Sequence, residues 1–154
     1  MTTIIKDTRE KSPWDFTFYG HKMELASIKT GDYTIKGYET EIIIERKKST
    51  GEIAQNIGSK SKAFNAEIER MQLIKRRYMI FEFSPQDLVN FPRNSGIPTF
   101  LQKRVRINAA YLAKEIERYE NEQNITVFFC NNREQAITKA VQLLEECYEE
   151  ITSG

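Results

Sequence analysis

The sequence predicts an α/β protein in which a mixed central sheet is flanked by helices. Three observations carry that expectation. The first 47 residues hold several short apolar or alternating runs separated by turn-forming residues, the spacing of strands rather than helices. From residue 49 onward, segments of helical periodicity alternate with β-branched and aromatic runs, an order that favours parallel strands joined by crossover helices. Finally, 154 residues with 40% hydrophobic and 29% charged side chains are enough to bury a core. The expected sheet is therefore an early meander followed by βα units.

Residues 3–7 (Thr-Ile-Ile-Lys-Asp) read as the first strand, and Lys11-Ser12-Pro13-Trp14 as a loop, because proline interrupts strand pairing. Residues 16–19 and 22–26 read as a strand pair turning at Gly20-His21. Residues 32–35 and 41–47 form the next pair through Lys36-Gly37-Tyr38. Ser49 or Thr50 offers a hydroxyl to cap a short helix running to Ile57, and residues 58–62 form a polar link. The clearest helix is 63–77, with Phe64, Ile68, Met71 and Ile74 on one face. A strand follows at 78–83, then a turn or short helix opened by Ser84-Pro85. Residues 90–104 are loop-like, holding Pro92, Gly96 and Pro98. Residues 109–121 are helical, with Tyr111, Leu112, Ile116 and Tyr119 on one apolar face. A strand at 125–130 leads, past a cap at Asn131 or Asn132, into a last helix over 133–150.

Composition excludes several classes. No stretch has the apolar length of a membrane span, and residues 1–7 lack the layout of a signal peptide. Cys130 and Cys147 show neither disulfide nor zinc spacing, so reduced thiols are expected. His21, the one histidine, falls in a turn and is expected at the surface, which leaves serine or cysteine hydrolase chemistry without support. The seven glycines form no nucleotide-binding loop. The net charge of +1 conceals an asymmetry, because residues 1–77 carry 15 Lys/Arg against 11 Asp/Glu. A basic half suits a binder of phosphate backbones, although four surplus charges are a weak signal. The aromatics Trp14, Phe16, Phe18 and Tyr19 could stack on bases, but their alternating spacing favours core packing.

The stretch with chemical content runs from Gly31-Asp32-Tyr33 to Glu45-Arg46-Lys47. On a strand, Glu45 and Lys47 point to one face and Arg46 to the other. Two carboxylates, Asp32 and Glu45, with room for water suit a hard cation such as Mg²⁺, which prefers oxygen ligands and retains waters. Lys47 beside them would orient a water or offset developing negative charge, which is the apparatus of phosphodiester hydrolysis. The bland reading is a buried strand emerging into solvent. Arg46 is read as a structural ion pair or a phosphate contact. Asp7, Arg9 and Glu10 end the first strand, as a further ligand and its supports or as solvated turn residues. Lys48, Lys60 and Lys62 are either phosphate contacts or a solvated link.

These residues resemble the nuclease domain of the XPF family (the xeroderma pigmentosum group F nuclease and its archaeal, viral and crossover-junction relatives). The resemblance rests on Gly31-Asp32 followed by Glu45-Arg46-Lys47, on Asp7-Thr8-Arg9-Glu10, and on the strand-to-helix junction at residues 128–134, and it covers nearly the whole chain. It implies a restriction-endonuclease-like fold and Mg²⁺- or Mn²⁺-dependent cleavage of branched DNA in repair or recombination. It also implies Asp32, Glu45 and Asp7 as metal ligands, Lys47 as the water-orienting base, and Arg9, Glu10 and Arg46 as supports. A homodimer, or a heterodimer with a related subunit, is implied too, with residues 109–121 or 133–150 as candidate faces. The chain departs from the family pattern in two respects. The acid expected four residues after the lysine is Gly51, with Glu52 adjacent, and residues 1–154 read as a single nuclease domain without the helix-hairpin-helix domain that usually follows. The expected compartment is the cytoplasm for a prokaryotic or phage protein, or the nucleus for a eukaryotic one. The alternatives are a non-catalytic DNA-binding or scaffolding subunit of this fold, or a nuclease acting on unbranched DNA. Joint retention of Asp7, Asp32, Glu45 and Lys47 argues against the scaffold.

Overall fold

A computed structural model describes residues 2–154. Its strands are β1 (Thr3–Asp7), β2 (Lys22–Ala26), β3 (Tyr33–Ile35), β4 (Ile42–Lys47), β5 (Arg76–Phe81) and β6 (Thr126–Phe129). Its helices are α1 (Thr50–Ile57), α2 (Ser61–Met71), α3 (Pro85–Val89), α4 (Ala109–Glu122) and α5 (Arg133–Ser153). The six strands form one mixed sheet in the order β2-β1-β3-β4-β5-β6. β3 is antiparallel to both β1 and β4, and β4, β5 and β6 run parallel, joined through helices. The expected α/β architecture is thus the observed one.

Period-two alternation along the central strands builds a core on each face of the sheet. Ile43, Met79 and Phe81 face Ile53, Phe64, Ile68, Leu112 and Ile116 on α1, α2 and α4. Ile42, Ile44 and Ile80 face Trp14, Phe16 and the α5 residues Ala136, Ala140 and Leu144. Strands buried on both faces read as nearly continuous apolar runs, and Ile42-Ile43-Ile44 is one.

Several expectations are corrected. The opening segment is not a meander, because β2 runs parallel to β1. Residues 8–21 act as a crossover that seats Trp14 and Phe16 on the α5 face and returns the chain to the end where β1 began. The expected strand at 16–19 is a 3₁₀ turn, Thr17–Tyr19. The Asp15 carboxylate accepts hydrogen bonds from both the amide and the hydroxyl of Thr17, and Gly20 closes the turn at φ +85°. Phe16 is then fully buried while Phe18 is 88% exposed. The helix expected over 63–77 spans Ser61–Met71, and Arg76 and Arg77 already belong to β5. The loop-like stretch 90–104 contains a 3₁₀ segment, Thr99–Arg104. Ser49 caps α1, and Asn132 caps α5. His21 is buried rather than on the surface. Its Nε2 lies 3.4 Å from Glu145 Oε1, and neither ring nitrogen has a hydrogen-bond partner among the described residues.

Tyr111 leaves the expected apolar face of α4, whose buried residues are Leu112, Ile116 and Tyr119. The apolar faces of α4 and α5, candidates for pairing with a second subunit, are packed into the chain's own cores. Both cysteines are buried and free. No helix among the described residues is long and apolar enough to cross a membrane.

Candidate active site

The site forms where β4 ends beside the loop that enters β3. Gly31 sits at φ +78°, a left-handed conformation that favours glycine, and a Cβ there would lie 2.3 Å from Ile43 Cγ1. That approach lets the Asp32 amide donate to the Ile44 carbonyl (2.8 Å) and the Asp32 carbonyl accept from the Asp7 amide (2.9 Å). Asp32 is thereby tied by backbone between β1 and β4. Its Oδ2 accepts the Arg46 amide at 2.7 Å.

Glu45 and Lys47 project to the α2 face, as strand alternation predicts. Glu45 is 4% exposed, and its Oε1 lies 3.9 Å from Lys47 Nζ. The Lys47 ammonium sits 4.7 Å above the Phe64 ring of α2. Burial pushes the Glu45 carboxyl well above the usual carboxylate range, and Asp32, close enough to share a hydrogen bond with it, pushes the same way. Burial works to lower the Lys47 pKa but is outweighed by Glu45, Glu52, Asp32 and Glu67, so this lysine is held as a cation.

Arg46 occupies the opposite face, and its partners make it structural. Its Nε donates to Glu82 Oε2 at 2.6 Å, its Nη1 donates to the Ser12 carbonyl at 2.8 Å, and its guanidinium lies 4.9 Å from the Trp14 ring centroid. Trp14 Nε1 donates to the same Glu82 oxygen at 2.6 Å. Glu10 Oε2 lies 3.5 Å from Arg46 Nη1. Burial and the nearby Asp32 raise the Glu10 pKa.

Asp7 is engaged elsewhere. Its Oδ2 accepts from Arg9 Nε (2.7 Å) and the Arg9 amide, and its Oδ1 accepts from the Ile28 amide. Burial works to raise its pKa, and those three donors overcome it and hold the carboxyl below the usual range. Arg9 Nη1 also reaches to within 3.9 Å of Glu67 on α2. Lys48 Nζ donates to the Lys11 carbonyl at 2.8 Å, while Lys60 and Lys62, at the start of α2, are exposed. Gly51, where the XPF pattern would place an acid, packs against backbone: its amide donates to the Ser95 carbonyl, and a Cβ would lie 2.3 Å from that oxygen. Glu52 is turned back to accept the Lys48 amide.

Sequence reasoning missed Glu67, Phe64 and Glu82 as parts of this region. Glu67 stands three residues after Phe64 on the apolar face of α2, and that misplaced charge was the available signal. Among the described residues no group of three or more His, Cys, Asp or Glu side chains converges as a metal site. Asp32 and Glu45 are the pair that could hold a hard cation. A buried carboxyl, Glu45, set against the half-buried Asp32 is a pair that a cation would relieve, and Mg²⁺ is commonly held by one or two carboxylates plus waters.

The mixed six-stranded sheet flanked by helices is the architecture that the resemblance implied. Among solved structures, the chain is similar to XPF from Aeropyrum pernix, at 16% identity and a TM-score of 0.67, covering 97% of this chain and 65% of that one. It is similar also to XPF from Aeropyrum pernix in complex with DNA, at 17% identity and a TM-score of 0.71, covering 97% and 66%. The chain therefore spans about two thirds of the length of those chains, and the likeness bears out the fold read from the motifs. No family model matches the sequence, and no curated protein does.

Proposed function

We propose that this chain is a Mg²⁺- or Mn²⁺-dependent DNA endonuclease that hydrolyses phosphodiester bonds in branched DNA. The observation that carries the reading is the buried Glu45 carboxyl set against the half-buried Asp32, with Lys47 beside it at the end of β4. Asp32 and Glu45 would hold the cation, which when bound supplies Lewis acidity toward a phosphate oxygen and acidifies water. Lys47, fixed between Glu45 and Phe64, directs its ammonium at the attacking water and offsets charge building on the phosphate. The water adds to phosphorus as the bond to the leaving oxygen breaks, giving one phosphomonoester end and one hydroxyl end. Asp7 acts through Arg9, which bridges it to Glu67, and so is a positioning residue. Arg46 and Glu10 brace the strand from behind. The likeness to a structure of XPF with DNA supports nucleic acid as substrate. Pairing with a second copy or a related subunit belongs to the same proposal, and sedimentation at several concentrations tests it.

The reading is tested by incubating end-labelled fork, flap and linear DNA with the protein, with Mg²⁺, Mn²⁺ or EDTA. Cleavage near the branch that needs the metal and spares linear DNA is expected. Cleavage in EDTA contradicts the metal requirement, and equal cutting of linear DNA contradicts the branched substrate. Fork binding without cleavage would make the chain a scaffold.

A further inference from the structure

A cleft of about 820 Å³ opens beside the candidate active site, between α1 and the segment 95–107. One wall is Ser49, Gly51, Glu52, Gln55, Gly58 and Ser59, and the other carries the apolar Ile97, Pro98, Val105 and Ile107 together with Arg104 and Arg106. The small side chains keep it open, and the contact of Gly51 with the Ser95 carbonyl fixes its floor. A second hollow shares Gly58, Arg106 and Ile107 with it and continues to Tyr111, which is 46% exposed. The two form a continuous groove whose first end holds Glu52, whose charge reaches Lys47. Lys60, Lys103, Arg104 and Arg106 are exposed and belong to no ion pair among the described residues.

We infer that this groove binds one unpaired DNA strand leading away from the scissile phosphate, with Arg104 and Arg106 on its phosphates and a base stacked on Tyr111. The inference rests on the nuclease reading, and it specifies where a single-stranded arm lies. Charge complementarity selects the occupant, since unpaired guanidinium groups match phosphate in bidentate fashion and an exposed aromatic ring accepts any base face. The cleft volume of about 820 Å³ is enough for a short stretch of one strand. A peptide partner with acidic side chains would satisfy the arginines but leave the Tyr111 platform without a role.

The test measures fluorescence anisotropy of a labelled single-stranded oligonucleotide, and of a duplex of equal length, in EDTA so that no cleavage occurs. Wild type is compared with Arg104→Ala/Arg106→Ala, with Tyr111→Ala, and with Ser59→Trp, which fills the groove and leaves its charges in place. Circular dichroism confirms that each variant folds. Single-strand affinity is expected to fall at least about tenfold in the arginine double variant and in Ser59→Trp, with duplex affinity changed less than about twofold. The salt slope should fall by about 0.7 for each phosphate that the variant no longer neutralises. Unchanged single-strand binding, or equal weakening for duplex and single strand, overturns the inference. Failure of the nuclease reading would appear separately, as absent cleavage with these binding differences intact.

Discussion

β4 presents buried charge on both of its faces, and the two faces treat that charge differently. On the α5 face, Arg46 meets Glu82, the Ser12 carbonyl and the Trp14 ring, so its cation is matched at every side. On the α2 face, Glu45 and Asp32 lie against each other, and Lys47 stands 3.9 Å away as the nearest compensation. Burying an ion is tolerable when partners and hydrogen bonds replace water, and costly when they do not. The matched face is a structural brace. The unmatched face retains unfavourable electrostatics, and the proposed cation site rests on that feature.

The largest expected effect falls on the unmatched face. Asp32→Asn and Lys47→Met should each reduce fork cleavage by about 10²-fold or more, the scale of a missing acid–base or charge-stabilising group. Single-turnover cleavage checks this. Stability should remain near wild type for Lys47→Met in urea titration.

The matched face should show the reverse pattern. Arg46→Ala leaves Glu82 buried without its cation and should cost about 3–5 kcal/mol of stability. Trp14→Ala, which empties a fully buried site stacked on Tyr33, should cost about as much. Denaturant unfolding reads both. A catalytic loss from Arg46→Ala larger than its unfolding explains would break the comparison.

A divalent cation sharpens it further. Mg²⁺ or Mn²⁺ at about 100 times its dissociation constant should stabilise wild type by about 2.7 kcal/mol and leave Asp32→Asn unmoved, as read by thermal unfolding.

The smallest effect is a pH dependence. Glu45 has a raised pKa in the folded state, so its contribution to stability is full below the ordinary glutamate range, about 4.3 in the unfolded chain, and is lost as pH rises through the raised value. Without metal, wild type should therefore lose stability relative to Glu45→Gln across that rise. Parallel curves for the two proteins would mean that Glu45 is not desolvated as described.

Much of this contrast was legible in the sequence. Alternation alone separated Glu45 and Lys47 from Arg46, and the Gly31-Asp32 pair was singled out with them, though its tight approach to β4 appears only in the fold. The partners were not legible, because Glu82, Trp14, Phe64 and Glu67 come from distant segments and only the fold brings them near. The parallel β1–β2 pairing was hidden for the same reason. A crossover that buries Trp14 and Phe16 looks locally like a hairpin with alternating aromatics. His21 was misplaced because turn chemistry described its neighbours, while α5, more than a hundred residues later, covers it.

The most direct test of the central claim is single-turnover cleavage of a labelled fork in Mn²⁺ by Lys47→Met beside wild type, with urea unfolding of both. The account predicts a folded Lys47→Met protein of near wild-type stability whose cleavage is slower by about 10²-fold or more. A folded Lys47→Met protein that cuts the fork at the wild-type rate would contradict it.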